Sequence, residues 1–375
     1  MLHVLVDMPT NTRVGEELLR GILRFARSRP YWSLSLVRRH DLPPRSGEGR
    51  LARYDGTIAY QASTTLYLPA IRRGLPHVGS ALAPHHRLFA AEIACDNASV
   101  ARLAAEHLLS RGFRHFAFVG SRPDLRWSRE RRALFRRELR ARGFRCAAFE
   151  APPDATDGDD RALAAWLAAL PRPVAVFADC DIRARDVLDA CRDAGLAVPD
   201  DVAVLGVDDD ELLCETVAPA LSSVAMDVEE AGRRAAESLD AAMRGAPVAA
   251  RRVAFGGVRV VARASTAHFV GRDPLVAKAR SAIAAGVGER LAVSELARRL
   301  GVSRRTLEVR FRSETGGPVG AAILDARLER AKDLLRTMSL SLEEIAAACG
   351  ICAASHMATL FRRRFGAPPS SFRKR

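Results

Sequence analysis

Residues 293–312, VSELARRLGVSRRTLEVRFR, and residues 342–365, LEEIAAACGICAASHMATLFRRRF, carry one pattern twice. In the first copy Val293, Leu296, Ala297 and Leu300 fall at i, i+3, i+4 and i+7, a single helix face. Gly301 then permits a sharp turn, Val302 plugs the corner, and Ser303 is placed to N-cap a second helix over 304–312. In the second copy the same face runs from Leu342 to Cys349, Gly350 turns, Ile351 plugs, and a helix over about 354–365 follows. Each copy reads as a helix-turn-helix, over about 291–314 and 341–365, and the two turn glycines are 49 residues apart. Between them 319–335 reads as a connecting helix whose 17 residues span roughly 25 Å at ~1.5 Å each. With helix packing added, that places the two second helices in successive major grooves, about 34 Å apart, on one face of DNA.

Charge supports a polyanion partner for this segment. From Pro274 to Arg375 there are 19 basic and 9 acidic residues, net +10, whereas the preceding 273 residues hold 39 and 35, net +4. Only Lys278, Lys332 and Lys374 of the 58 basic residues are lysine, so the asymmetry, not the arginine content, is the signal. The first recognition helix carries Ser303, Arg304, Arg305, Glu308 and Arg312. There arginine suits guanine, and glutamate suits the cytosine amino group. The second carries Ala353, Ser355, His356 and Thr359, followed by Arg362, Arg363 and Arg364, a triplet assigned mainly to phosphates.

The first 265 residues read differently. Short β-branched runs at 3–7, 33–37, 56–60, 115–120, 174–179 and 202–208 alternate with amphipathic stretches at 13–27, 98–110, 128–142, 161–170, 183–194 and 229–244. Strands alternating with helices predict an α/β fold with parallel sheets, and the length predicts two lobes. Ligands of such sheets bind beyond the strand C-termini. That singles out Asp96, Trp127, Arg131, Asp181 and Asp208, with Asp7 and Asp179 as weaker candidates. Carboxylates accept from vicinal hydroxyls, a guanidinium donates to sugar oxygens, and an indole covers sugar C–H groups, so the set suits a small polyol. Asp96 is equally placed to cap the helix that follows it, and Trp127 equally suits the core. Residues 266–273 lack periodicity and read as a linker, giving an effector-binding and dimerisation domain over 1–265 and an all-α DNA-binding domain over 274–375.

The C-terminal pair, SELARRLGVSRRTLEVRF with SLEEIAAACGICAASHMATLFRRRFGAPPSSFR, resembles the DNA-binding domain of AraC/XylS-type transcription regulators. Ile351 stands where that family usually has Phe, and Thr359 where Arg is common. The stretches CDNASVARLAAEHLLSRGFRHFAFVG, VLDACRDAGLAVPDDVAVLGVDDD and ALSSVAMD are similar to the periplasmic-binding-protein-like sensor of LacI-type repressors. This order of parts resembles the family of xylose-operon regulators. The resemblance implies that Arg131 matches the arginine of an Arg-x-x-small-aromatic segment, with Leu134 replacing the small residue. It likewise aligns Asp181 with the aspartate of Asn-Asp-x-x-Ala, with Cys180 replacing Asn, and Asp208 with that of Gly-x-Asp, with Asp209 in place of Asn.

The expected function is a sugar-responsive, sequence-specific transcription regulator, an activator of pentose catabolism. Its partners are promoter repeats in double-stranded DNA, a small sugar, a second copy of the chain and RNA polymerase. A repressor or a plain sugar-binding protein is the alternative. No nucleophile elbow, P-loop or metalloprotease signature occurs, and His85-His86 is an isolated doublet, so neither catalytic residues nor a cofactor are expected. Seven scattered cysteines, with Cys349 and Cys352 lacking a partner set, predict free thiols, no metal and a cytoplasmic setting. No export signal or membrane-spanning apolar run is read.

Overall fold

The computed structural model describes every residue except 38–50, 52, 61–63, 82, 84–85, 122–124, 150–160, 272, 287–290, 339 and 374–375. Its first part is α/β. Strands β1 (Leu2–Asp7), β2 (Trp32–Leu36), β3 (Gly56–Ala59), β4 (His77–Ser80) and β5 (Ala91–Asp96) form the first lobe with helices α1 (Arg13–Arg27) and α2 (Thr64–Arg72). The chain then crosses to the second lobe through α3 (Asn97–Ser110). That lobe holds β6 (His115–Val119), α4 (Arg126–Arg140), β7 (Cys146–Phe149), α5 (Arg161–Ala168) and β8 (Val174–Ala178). It continues with α6 (Asp181–Asp193), β9 (Val202–Val207), α7 (Glu211–Thr216) and β10 (Ser222–Met226). Helix α8 (Val228–Met243) returns to the first lobe, and β11 (Arg252–Val261) runs through both.

The strand order is β2-β1-β3-β4-β5-β11-β10-β9-β8-β6-β7. Every pairing is parallel except β10 with β11. Buried on both faces, the central strands are continuous apolar runs. In β6, for example, Phe116 and Phe118 pack against α3 and α4, while Ala117 and Val119 face α5 and α6. The first lobe has its own core, where Val4, Ile58 and Ile93 meet Leu18 and Ile22 of α1 and Leu239 of α8.

β4, β5, β7, β10 and β11 extend the six strands read from sequence. The first four are short or rich in Ala, Ser and Gly, so β-branched patterning does not announce them, and in β11 the pair Gly256-Gly257 interrupts an otherwise valine-rich run. Strand β11 joins the lobes. Residues 252–256 pair with β5 of the first lobe, and Gly257 to Val261 pair with β10 of the second. The change of partner falls at Gly256-Gly257, whose amides donate to Asp227 Oδ1 (2.6 Å) and Ser99 Oγ (2.9 Å).

The C-terminal part is helical: α9 (Pro274–Ala285), α10 (Val293–Arg299), α11 (Arg304–Thr315), α12 (Val319–Thr337), α13 (Leu342–Ala348) and α14 (Ala354–Phe365). It has two small cores, one for each helix-turn-helix. Val319 and Ile323 of α12 belong to the first, and Leu328, Ala331, Leu334 and Leu335 to the second. The connecting helix is therefore shared, and its 19 residues extend ~28 Å. Gly301 and Gly350 turn with φ of +68° and +65°, as the pattern requires.

Helix α3 presses against the strand at the change of partner. A Cβ on Gly257 would lie 2.9 Å from Leu103 Cδ1 and 3.1 Å from Val100 Cα, and the latter is helix backbone that cannot yield. Gly257→Ala is expected to destabilise the chain by about 1–3 kcal/mol, read as a lowered midpoint in a thermal melt. An unchanged midpoint would show that the strand and α3 separate freely.

Candidate effector site and nucleic-acid interface

Residues at the ends of β3, β5, β8 and β9 come together around Arg131, where the two lobes meet. Arg131, on the second turn of α4, is 4% exposed. Its Nε donates to Asn97 Oδ1 at 3.0 Å, one terminal nitrogen donates to the carbonyl of Asp179, and the other meets Cys95 Sγ at 3.5 Å. Its guanidinium lies 5.2 Å from the centre of the Trp127 ring, one helical turn back. Arg131 thus ties the end of β5, in the first lobe, to the end of β8, in the second.

Asp208 follows β9 in a strained turn, with φ of +114° at Asp208 and +51° at Asp209. The turn is fastened from below. Asp209 N donates to Ser223 Oγ (3.0 Å), Asp210 N donates to Asp181 Oδ2 (2.9 Å), and Ser223 Oγ donates to Asp181 Oδ1 (2.6 Å). No group among the described residues donates to the Asp208 carboxylate. Burial pushes this carboxyl well above the ordinary range; Asp181 and Asp179 add to the effect, and Arg131 opposes it.

Asp181 differs from the expectation. It is 1% exposed and also accepts from Cys214 Sγ at 3.4 Å, so its oxygens are engaged beneath the turn and not in the cleft. A helix-start aspartate points inward here because Gly206 leaves room: a Cβ on that glycine would sit 2.1 Å from Asp181 Oδ1. Asp96 takes the capping role, its Oδ1 accepting from Ala98 N (3.1 Å) and Ser99 N (3.2 Å). Asp179 is fully buried and accepts from Ser121 N and Oγ.

Sequence reading missed Tyr60, Cys95 and Asn97, and treated Cys180 only as a departure. Tyr60 follows β3 directly, and its hydroxyl senses Cys95, Arg131 and Asp208. Burial pushes up the Tyr60 hydroxyl and the Cys95 and Cys180 thiols, so all three stay protonated at neutral pH. Ending β3 at Ala59 and recognising β5 would have exposed Tyr60 and Cys95 to the strand-end rule. One permanent cation, one carboxyl group without a donor among the described residues and several neutral O–H and S–H groups make a site for an uncharged, hydroxyl-rich ligand. No His, Cys, Asp and Glu grouping among the described residues is arranged to hold a metal ion. Of the His85-His86 doublet, His85 lies outside the described residues, and His86 pairs with Glu92 at 2.6 Å.

On the helical half, Ser303, Arg304, Arg305 and Arg312 are exposed, and Ser303 caps α11 by accepting from Thr306 N at 3.0 Å. Glu308 does not join them. Its Oε2 accepts from Val319 N at 3.3 Å, capping α12 from a half-buried position. Val309, 62% exposed and one turn beyond Arg305, occupies the outer face instead and suits a thymine methyl. In the second unit Ala353, Ser355, His356, Thr359, Arg362 and Arg363 are exposed. Thr359 Oγ1 donates to the Ser355 carbonyl at 3.2 Å. Arg364 is diverted: its Nε donates to Asp325 of α12 at 2.9 Å, whereas Arg362 and Arg363 have no ion-pair partner among the described residues.

A two-lobed domain of this topology joined to paired helix-turn-helix units defines a transcription regulator with a periplasmic-binding-protein-like sensor and an AraC-type DNA-binding domain. Family models agree: residues 105–266 match a periplasmic binding protein-like domain and 296–375 a helix-turn-helix domain. The xylose operon regulatory protein of Escherichia coli is 31% identical over 333 residues, covering 87% of this chain and 84% of that protein. Its counterpart in Haemophilus influenzae is 29% identical over 331 residues, with the same shares covered. A solved xylose-binding transcription activator aligns over 99% of this chain and 97% of its own, with 26% identity and a TM-score of 0.62. The chain belongs to the family of the xylose operon regulatory proteins. No helix among the described residues is long and apolar enough to cross a membrane.

Burial raises the Asp181 carboxyl above the ordinary carboxylate range, and the donors Ser223, Asp210 and Cys214 oppose it. The folded chain therefore keeps this proton where the unfolded chain has lost it, and stability falls as pH rises through and beyond that range. Asp181→Asn removes the titration. Relative to the parent chain, its melting temperature is expected to improve steadily from about pH 4 to about pH 8. A difference that does not vary with pH would refute the assignment.

Proposed function

We propose that the chain activates sugar-catabolic genes in response to a xylose-like pentose bound in the cleft. The observation carrying this reading is Arg131, which spans from Cys95 to Asp179 beside the unpartnered Asp208 carboxylate. A pentose has vicinal hydroxyls for Asp208 and ring and hydroxyl oxygens for Arg131, and its C–H face suits Trp127 or Tyr60. The names of the relatives supply the pentose, and the neutral, donor-rich chemistry of the site is consistent with it. In this reading the chain acts as a homodimer whose two DNA-binding halves read promoter repeats and contact RNA polymerase.

Sugar shifts the lobes only through contacts made better in the closed form. Hydrogen bonds to charged groups contribute about 1.5–3 kcal/mol each, so two or three made only on closure supply a switch of ~5 kcal/mol. The route to DNA runs through β11. Arg259, two residues past Gly257, pairs with Asp333 of the shared helix α12 at 3.2 Å.

D-xylose is expected to raise the melting temperature of the full chain in a screen of pentoses and hexoses. Asp208→Ala should lose that shift and keep sugar-free DNA affinity. Silence from every sugar, or loss of DNA binding together with the shift, would sink the reading. Arg362→Gln with Arg363→Gln should lower the slope of log affinity against log salt by about 1 for each phosphate contact removed. A slope equal to that of the parent chain would remove these arginines from the interface.

A further inference from the structure

Away from the effector cleft, the joint between sensor and DNA-binding half contains an open pocket of about 560 Å³. Arg111, which caps the C-terminus of α3, and Arg280 of α9 both lie over the ring of Phe269, with guanidinium carbons 4.3 and 4.1 Å from its centre. Ile283, Phe311 and Pro318 contribute an apolar wall. Arg111 is 9% exposed, and its Nη1 is buried without a hydrogen-bond partner. Arg280 donates to the Ser110 carbonyl at 3.2 Å, and neither arginine makes an ion pair among the described residues.

The two carboxylates that line the pocket leave Arg111 uncompensated. Glu314 accepts from Asp273 N at 2.8 Å and acts on Arg280 as a partial counter-charge, and Asp325 is paired with Arg364 at 2.9 Å. Two guanidiniums on one ring repel each other, and the aromatic face offsets only part of that cost. Burial, with the neighbouring Arg280, pushes Arg111 down to about 10, the response of a cation short of a counter-charge. A buried guanidinium N–H left without an acceptor costs free energy, and an anionic acceptor recovers more of it than a neutral one.

We propose that this pocket binds a small organic anion, its acidic head on Arg111 and Arg280 and its apolar body against Ile283 and Phe311. Because the walls come from both halves of the chain, the bound anion fastens the sensor to the DNA-binding domain and makes a second input, independent of the sugar. A carboxylate and a phosphate ester share the head chemistry; a bare oxyanion lacks the body.

The test is calorimetric titration of the full, sugar-free chain with hexanoate, phenyl phosphate and inorganic phosphate, at constant ionic strength set with chloride. At least one of the two amphipathic anions is expected to bind once per chain, and at least tenfold more tightly than inorganic phosphate. Hexanoate alone or phenyl phosphate alone would tell carboxylate from phosphate. Arg280→Gln, at a half-exposed position, should weaken binding at least tenfold. Ala321→Glu, exposed at the rim, should do the same by adding a negative charge. The proposal is overturned if neither amphipathic anion binds, if inorganic phosphate binds as tightly as they do, or if both variants bind with parental affinity.

Discussion

One strand is hydrogen-bonded to both lobes, and that constraint organises the molecule. The first half of β11 is locked in parallel register to β5, and the second half runs antiparallel to β10. A strand can change its angle only where the ladder is interrupted, and here the interruption is a glycine pair. The other two crossings between lobes, at Asp96-Asn97 and at Met226-Asp227, meet the same point: Ser99 and Asp227 hold the amides of Gly257 and Gly256. A change in the angle between the lobes would therefore be concentrated into a few torsions beside the residues placed to touch a ligand.

The electrostatics of the cleft follow from burial. Asp181 has its donors, so it stabilises the turn that presents Asp208 instead of competing for ligand. Asp208 has none, and its strained backbone positions a carboxylate that is better accommodated once hydroxyl groups donate to it. Arg131 is fixed by Asn97 and the Asp179 carbonyl before any ligand arrives, so little side-chain entropy remains to be lost on binding. A rigid cation beside an unsatisfied carboxylate is a pre-organised receptor for an uncharged polar molecule.

Helices and turns were legible where one physical rule dominates. The period of Leu18, Ile22 and Phe25 defines α1, and the two turn glycines with their plugs define both helix-turn-helix units, because no other residue accepts that φ as readily. Strands such as AEIACD and SSVAM were not, since their pairing energy comes from neighbours far away in sequence. The Gly-Gly inside β11 reads locally as a breaker, yet the strand continues through it and changes partner there. Site residues failed for a related reason. Sequence places Asp181 and Glu308 at the right helix starts and turns but is silent on which side of the backbone a carboxylate lies. For both, the answer came from a donor elsewhere: Asp210 N and Val319 N.

Three ion pairs tie helices of the DNA-binding half to neighbouring elements. Arg310 with Asp273, Arg364 with Asp325 and Arg259 with Asp333 anchor α11, α14 and α12. They are not equivalent. The first two are exposed pairs that water screens, and such pairs contribute little. Asp333 is mostly buried, and burial raises its carboxyl while Arg259 holds it down, so parting them leaves a carboxylate in a poor environment. Since Arg259 rides on the second half of β11, a rotation at Gly256-Gly257 must either carry α12 along or break this pair. Carrying α12 displaces both small cores at once, because that helix is shared between them. While the Arg259–Asp333 pair holds, a rotation at the glycine pair would therefore reach both DNA-reading units together.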